Sequence, residues 1–366
     1  MSDLYDLIVV GAGPSGASAA REARRLGLRK ILVIERQAWP RAKTCGGGLS
    51  PRARKLLKEN GLWDRVAPES YSIQGLRLVS PNGNEVLLKG ADTASVLNRR
   101  RFDAILMQAA CEAGAEFRPE TQVGALLEEN GRVAGVKTAD AEIEARWVVA
   151  ADGARACFGS DIRPRAYLHT MMGWYEGVPF TPNVLEMIYD MELGGHYGWL
   201  FPESERRVNI GICMEKTSLD GKSIRDVFER FLDKYYAARL AGAQQLGVWK
   251  GYPISYSVEV EHHAPPGLLL VGEAARLANP ATGEGISYAM LSGQLAARHI
   301  AEGDRRGLDR PWVADQYAAA IRKATARNFK AAHFFRRHGT RPLNLITSFG
   351  SNRMAKNLAG ETLAHL

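Results

Sequence analysis

The sequence of 366 residues has few cysteines and no long hydrophobic run. The four cysteines are scattered and form no C-x-x-C pair; they are Cys45, Cys111, Cys157 and Cys213. Because the histidines also lack metal-ligand spacing, we expect neither a disulfide framework nor a metal site. No apolar run approaches the roughly 20 residues that span a membrane. The first apolar stretch, 7–10, follows acidic residues and runs directly into a glycine loop, unlike a secretory signal, so we expect a cytoplasmic protein.

One segment near the C-terminus lacks acidic residues. Between 322 and 341 there is no acid, and the basic and aromatic residues are Arg322, Lys323, Arg327, Lys330, Arg336, Arg337 and Arg341, with Phe329, Phe334 and Phe335. The pattern favours the solvated basic face of a C-terminal helix. The alternative is that these residues contact a membrane surface peripherally, or bind an anionic headgroup or a nucleotide. Nucleic acid is not expected as a partner, because no known nucleic-acid-binding motif accompanies the charge.

The N-terminus contains the pattern of a β-α-β unit. Residues 6–10 (DLIVV) and 30–34 (KILVI) are short runs typical of buried parallel strands, and 14–26 between them is an alanine-rich helix. The loop between strand and helix is a G-x-G-x-x-G sequence, in which glycines permit a tight turn, close approach to a pyrophosphate and close helix packing. The helix N-terminus adds free N–H groups and a positive dipole end.

An acid at the end of the second strand completes this pattern. Glu35 is placed to accept the ribose hydroxyls of an adenosine and disfavours a 2′-phosphate, so the site is one for FAD or NAD. The residues predicted to contact the dinucleotide here are Gly11, Gly13, Pro14, Ser15, Gly16 and Glu35, with Arg36 at the adenine end.

The rest of the chain predicts two kinds of sheet. Buried parallel strands recur at 146–151 and 267–271, and the second is followed by a helix at 283–301. Alternating and aromatic-rich segments between them predict an antiparallel sheet, interrupted by a helix at 223–241. The predicted α/β fold has a discontinuous nucleotide-binding domain at 1–165 and 262–305, an inserted antiparallel substrate domain at 166–261 and a helical C-terminal region at 306–366.

Two later segments distinguish FAD from NAD. One strand ends in Asp152-Gly153, and another ends in Gly272-Glu273, shortly before T-G-E-G-I at 282–286. Together they resemble the Asp-Gly and Gly-Asp motifs of glutathione-reductase-type flavoproteins, the branch that contains the aromatic hydroxylases. The resemblance implies a Rossmann-like FAD domain in which Glu273, in place of the usual Asp, contacts the ribityl chain. It also implies that the helix near Gly283 points its N-terminus at the flavin N1–C2=O edge and stabilises the reduced flavin.

Three further stretches resemble the geranylgeranyl reductase family of FAD-dependent oxidoreductases. They are K-T-C-G-G-G-L at 43–49, Y-G-W-L-F-P at 197–202 and N-P-A-T-G-E-G-I at 279–286. The family often has proline where this chain has Gly194, and the resemblance covers roughly residues 1–305. It implies hydride transfer from reduced FAD to an isolated C=C of a prenyl (geranylgeranyl-type) or similar apolar substrate. NAD(P)H or another reductant would supply the electrons.

The same stretches provide the candidate catalytic residues Cys45, Tyr197 and Trp199. Glycines at 46–48 let the backbone pass close to a flat ring, which places Cys45 near the isoalloxazine, unless it is a small buried packing residue. The aromatics at 197, 199 and 201 share one strand face, which is an apolar substrate wall or plain sheet core. The further FAD contacts implied by the resemblance are Cys45, Gly46, Gly47, Arg99, Val123, Asp152, Gly272, Glu273, Pro280, Gly283, Gly285 and Ile286.

Three alternatives use the same cofactor. A flavin-dependent monooxygenase or halogenase of the aromatic-hydroxylase-like class can carry a similar aromatic-Trp-Pro motif. Another biosynthetic flavin dehydrogenase would act on a non-prenyl substrate, and a flavin-holding assembly protein would catalyse nothing. Oxygen consumption with a hydroxylated or halogenated product indicates the first, whereas anaerobic saturation of an alkene indicates the reductase.

Overall fold

The computed structural model describes residues 4–154, 158, 166–215, 219, 221–258, 264–338, 343, 344 and 347. Cys157 and Arg341 lie outside these residues. The strands are β1 (Tyr5–Val10), β2 (Ile31–Ile34), β3 (Gly48–Leu49), β4 (Tyr71–Val79), β5 (Glu85–Val96), β6 (Glu116–Arg118), β7 (Val123–Glu129), β8 (Arg132–Thr138), β9 (Glu142–Ala150), β10 (Ala166–Glu176), β11 (Val184–Tyr189), β12 (Tyr197–Pro202), β13 (Arg207–Glu215), β14 (Gln244–Gln245), β15 (Lys250–Tyr256) and β16 (Leu268–Leu270). The helices are α1 (Pro14–Arg25), α2 (Pro51–Glu59), α3 (Trp63–Val66), α4 (Arg99–Glu112), α5 (Ile224–Leu240), α6 (Ile286–Arg306) and α7 (Arg310–His338).

The first sheet contains the strands that the sequence predicts as parallel. Its order is β6-β2-β1-β9-β8-β7, with β16 paired to β9, and β6, β2, β1, β9 and β16 run parallel. β1 and β2 are buried on both faces, which explains their uninterrupted apolar sequences. α1 packs closely on α6, since a Cβ added at Gly293 would lie 2.1 Å from the Ser15 carbonyl oxygen.

The second sheet is mostly antiparallel. Its order is β14-β10-β13-β12-β11-β4-β5-β3, with β15 paired to β10, and the β11–β4 pair is parallel. The α/β fold class predicted from the sequence is confirmed, with a mostly parallel first sheet and a mostly antiparallel second sheet. The sheet also takes β3, β4 and β5 from before residue 97, although the proposed domain limits themselves stay a prediction.

The long helix α7 connects the two sheets. Its buried side includes Tyr317, whose hydroxyl donates to the Leu270 carbonyl at 2.7 Å, and Phe329. Near its end Arg336 contacts Glu215 and Tyr256 of the second sheet. Its basic residues Arg322, Lys323, Arg327, Lys330 and Arg337 are exposed, as a solvated basic face requires. Within the described residues, no helix combines the length and apolar character needed to cross a membrane.

Candidate functional site

Four loops meet at one edge of the first sheet. They follow the carboxyl ends of β1, β2, β9 and β16, and they contain Gly11, Glu35, Asp152 and Gly272. In open parallel sheets, ligands bind at this edge. The structure therefore brings together residues that the sequence predicts from four separated segments.

The glycine loop leaves space for a ligand on one side only. Gly11 has φ +107°, and a Cβ there would lie 2.4 Å from the Ala151 carbonyl oxygen; one at Gly16 would lie 1.9 Å from the Gly11 oxygen. At Gly13, the residue that caps α1, the nearest atom to an added Cβ is Nη2 of Arg41 at 3.4 Å. The loop thus packs tightly inside and stays open at Gly13, which fits the pyrophosphate of a dinucleotide.

Glu35, which the sequence predicts as the contact of the adenosine, is 5% exposed. Its carboxylate accepts hydrogen bonds from the Ala12 N–H at 3.2 Å, the Gln37 N–H at 3.1 Å and Arg41 Nε at 3.1 Å. Arg36, expected beside it, is exposed, so the guanidinium that contacts Glu35 is that of Arg41.

A buried carboxylate joins Arg41 to Arg99. Asp103 has no exposed surface and accepts from Arg99 Nε at 2.7 Å and Nη2 at 2.9 Å, while Nη1 of Arg41 lies 3.1 Å away. Burial acts to lower the pKa of Arg99, but Asp103 and then Cys45 outweigh it, and the pKa is raised. Among the three adjacent arginines, Arg100 and Arg101 are exposed, which leaves Arg99 as the one directed into the site.

The glycine run at 46–48 passes close to the aromatic residues of β12. A Cβ at Gly46 would lie 3.0 Å from a ring carbon of Phe201 and 3.1 Å from Nε1 of Trp199. Gly47 has φ +75°, and a Cβ there would lie 2.6 Å from the Leu97 oxygen. The run therefore has a packing reason of its own, besides the close approach to a flavin that the sequence suggests. Cys45, half-buried, accepts from the Gly47 N–H at 3.4 Å.

The aromatic residues of β12 lie on one face, with neighbouring ring centres 6.1 Å apart for Tyr197 and Trp199 and 5.9 Å apart for Trp199 and Phe201. The indole N–H of Trp199 donates to Asn209 Oδ1 at 2.7 Å, and the Tyr197 hydroxyl donates to the Thr282 carbonyl at 2.5 Å. Burial raises the pKa of Tyr197 well above its ordinary value, so its phenol stays protonated.

The second glycine-acid motif lies against β15. Glu273 accepts from the Ser255 N–H at 3.3 Å, and the Lys43 ammonium lies 3.5 Å from the ring centre of Tyr252 on the same strand. Burial raises the pKa of Glu273, and Lys43 opposes that rise; burial likewise lowers the pKa of Lys43, and Glu273 opposes that fall. The Lys43 ammonium and the Glu273 carboxylate therefore influence each other electrostatically.

The helix predicted from Gly283 begins later. α6 starts at Ile286 with Gly285 as its cap, because Glu284 turns back and accepts from both the N–H and the hydroxyl of Ser287, each at 2.8 Å. A carboxylate thus occupies part of the helix N-terminus that the sequence assigns to the flavin edge.

The other predicted contacts lie along the same edge. Val123 begins β7, two residues after Thr121, whose N–H donates to the Glu35 carbonyl at 2.9 Å. Pro280 is buried, and Ser15 lies in the first turn of α1 beside Gly272, where a Cβ would be 2.9 Å from its Oγ. Their roles as FAD contacts stay predictions.

Three polar residues of the site were not predicted from the sequence. Asp103 lies four residues after Arg99, a spacing that places both on one helix face, so a helical ion pair was detectable. Arg41 lies in an irregular loop and Asn209 lies in an apolar strand, and neither carries a periodic signal.

Comparison with known proteins agrees with this arrangement. A family model described as an FAD binding domain matches residues 5–186. A digeranylgeranylglycerophospholipid reductase of Methanoculleus marisnigri is 32% identical over 92% of this chain and 87% of its own. A geranylgeranyl bacteriochlorophyll reductase-like protein of Thermoplasma acidophilum matches 97% of this chain and 95% of its own at a TM-score of 0.83 and 26% identity. A flavin-dependent brominase shares the fold at a TM-score of 0.81 and 20% identity, covering 99% of this chain and 93% of its own.

Proposed function

Since the chain belongs to the geranylgeranyl reductase family of FAD-dependent oxidoreductases, we propose that it reduces isolated C=C bonds of a prenyl chain. FAD, when bound and reduced, supplies the electron pair for this addition. The electron donor that reduces FAD is proposed to be NAD(P)H or another small reductant. The likeness to the brominase is one of fold and supplies no argument for halogenation.

The observation that supports a prenyl substrate is a continuous row of aromatic rings. It runs from Phe201, against the glycine run, through Trp199 and Tyr197 to Tyr189, whose ring centre is 5.7 Å from that of Tyr197. The same sheet face carries further apolar side chains: Leu78, Val86, Met172, Trp174, Met187 and Cys213. An isolated alkene has no polar handle, so such a wall binds and orients it by apolar contact and excludes water.

The C-terminal region covers this wall. Phe335 of α7 and the buried Leu343 pack against the same cluster. We propose that the prenyl chain lies between the wall and these residues, with its reacting bond at the end near Cys45. The alternative, that the wall is sheet core alone, is the outcome if no prenyl compound binds.

The three candidate catalytic residues differ in whether their polar hydrogen is engaged in a hydrogen bond. Tyr197 and Trp199 hold theirs in hydrogen bonds to Thr282 and Asn209, which suits positioning and shape. Cys45 lies beside Arg99 at the glycine run, so we propose that its thiol is the side chain nearest the reacting carbon. Water remains the competing source of the proton.

The exposed basic side of α7 supports a peripheral membrane contact. Lys323, Arg327, Lys330 and Arg337 are exposed together with Phe334, which is 67% exposed. Cationic residues with an aromatic tip suit a membrane surface, where a prenyl lipid would be found. We propose that α7 brings the enzyme to this surface.

The test of the activity is anaerobic incubation of dithionite-reduced protein with prenyl lipids, followed by mass spectrometry. We expect a gain of two hydrogen atoms for each reduced double bond. Products that form only in the presence of oxygen and carry a hydroxyl or halogen would instead establish the monooxygenase or halogenase alternative.

The role of Cys45 is tested in the same reaction. Cys45→Ala should slow reoxidation of the reduced protein by the prenyl lipid and leave its FAD content unchanged. Cys111→Ala, at an exposed position on α4, is the matched control. Equal reoxidation rates in both variants would mean that Cys45 has only a packing role.

A further inference from the structure

We propose that Arg41 is a ligand of the FAD pyrophosphate and that it forms, with Arg99, a two-arginine clamp whose spacing is set by Asp103. The inference concerns cofactor binding and does not depend on the substrate. Failure of prenyl reduction and failure of this clamp are therefore separate results.

The first argument is how Arg41 is held. Its side chain is 11% exposed, Nε lies 3.1 Å from Glu35 and Nη1 lies 3.1 Å from Asp103. Nε donates to Glu35, whereas the buried Nη1 has no hydrogen-bond partner among the described residues, so this guanidinium keeps donors for a phosphate oxygen.

The second argument is where the remaining nitrogen lies. Nη2 is the nearest atom to a Cβ added at Gly13, at 3.4 Å, and Gly13 is the residue at which the loop stays open. Gly13 also caps the N-terminus of α1, where backbone N–H groups and the helix dipole attract an anion. The free side of Arg41 and the helix end therefore border the same position.

The third argument is the position of Asp103. This carboxylate is fully buried and contacts both Arg41 and Arg99, so one side chain holds the two guanidinium groups near each other. Asp103 acts as a positioning residue, because it holds the two guanidinium groups without itself attracting the anion.

The experiment compares Arg41→Met with Arg100→Met in the whole chain. Arg100 is the matched control, since it adjoins Arg99 in sequence and is exposed. Flavin-free protein is titrated with FAD and with riboflavin, which lacks both the pyrophosphate and the adenosine, and flavin fluorescence is measured. We expect Arg41→Met to raise the Kd for FAD by about tenfold or more, the effect of one charge-assisted hydrogen bond.

Two further readouts separate a ligand from a merely structural role. Arg41→Met should leave the Kd for riboflavin unchanged and weaken the salt dependence of FAD binding, because one screened charge contact is gone. Arg100→Met should change neither. An unchanged Kd for FAD, or an equal rise for FAD and riboflavin, would overturn the proposal. ADP serves as a second probe, and its binding should weaken in Arg41→Met alone.

Discussion

In α1, which packs on the first sheet, a Cβ added at Gly16 would lie 1.9 Å from the carbonyl oxygen of Gly11. In the second sheet, a Cβ added at Gly198 would lie 2.0 Å from Cζ of Phe231. The two contacts are equally close, but the partner is backbone in one case and a side chain in the other. A backbone carbonyl that is fixed in a turn cannot move away from an added methyl group, whereas an aromatic ring can shift at some cost in packing. The position of Gly16 therefore requires glycine itself. At Gly198 the requirement is only that its side chain and that of Phe231 together fit the available volume.

Polar groups differ between the two regions in the same way. At the nucleotide edge the buried charges of Glu35, Arg41 and Asp103 contact one another. On the face of the second sheet that carries the aromatic row, the hydrogen-bonded pair Trp199 and Asn209 lies among apolar side chains, and the buried carboxylate of Glu186 lies on the opposite face. Binding a charged dinucleotide needs fixed charges, whereas binding a hydrocarbon needs their absence.

The largest effect is expected from Gly16→Ala. The methyl group meets the Gly11 carbonyl, so α1 cannot lie on β1, and we expect a loss of more than about 4 kcal/mol together with all bound FAD. Gly13→Asp is the comparison, because its side chain points into open space beside Arg41. The Gly13→Asp protein should keep its fold and lose bound FAD. Urea denaturation of the flavin-free protein measures the stability, and flavin absorbance measures the bound FAD. A stable, yellow Gly16→Ala protein would contradict the backbone argument.

A smaller effect is expected from Gly198→Ala. The methyl group clashes with the Phe231 ring, and overpacking of this kind typically costs about 1–3 kcal/mol. FAD content should stay normal, since the contact lies in the other sheet. The double variant with Phe231→Leu should recover part of the stability, and additive losses in a double-mutant cycle would count against a direct contact.

How far the sequence could predict these features depends on how local they are. The loop at Gly11 to Gly16 was predictable, because its geometry is fixed by consecutive residues. The long-range pair of Arg41 with Asp103 was not, because nothing in either segment specifies the other. The helix α6 begins at Ile286 rather than at Gly283, and the Glu284 side chain accepts from the Ser287 N–H in its first turn.

The antiparallel character of the second sheet was predictable, but the set of strands that form it was not. Alternating segments predicted antiparallel strands, yet β4 and β5 join the sheet from before residue 97, and β4 pairs with β11 in parallel. The pairing of distant strands depends on which apolar faces meet, and periodicity does not encode that. The row from Phe201 to Tyr197 followed from strand alternation, whereas its continuation to Tyr189 depends on the β11–β12 register.

Trp199→Phe should cost less than either glycine variant. The substitution keeps an aromatic ring, of smaller volume, and removes the donor to Asn209, whose buried Oδ1 then loses its 2.7 Å partner, at about 1–2 kcal/mol for the lost bond. FAD content should not change, and prenyl turnover should fall because the wall loses its fixed orientation. Adding Asn209→Leu should recover only part of the stability, because Asn209 also donates to the Gly173 carbonyl at 3.1 Å. Recovery of turnover in the double variant would show that the indole N–H has no role beyond satisfying Asn209.

The smallest effect concerns His196, which precedes β12 and has no exposed surface. Neither ring nitrogen has a hydrogen-bond partner among the described residues, and burial, with Arg336 adding to it and Glu215 opposing, lowers the pKa to about 4. Between the ordinary pKa of about 6.5 and that value the unfolded chain binds more protons, so stability falls as the pH falls. From pH 7 to about pH 5.5 this one group should cost about 1 kcal/mol. His196→Leu should remove this contribution from the pH dependence of the free energy of unfolding, measured by urea denaturation. His338→Leu, at the exposed end of α7, should leave that pH dependence unchanged. An equal pH dependence in both variants would mean that His196 gains a partner or water in solution.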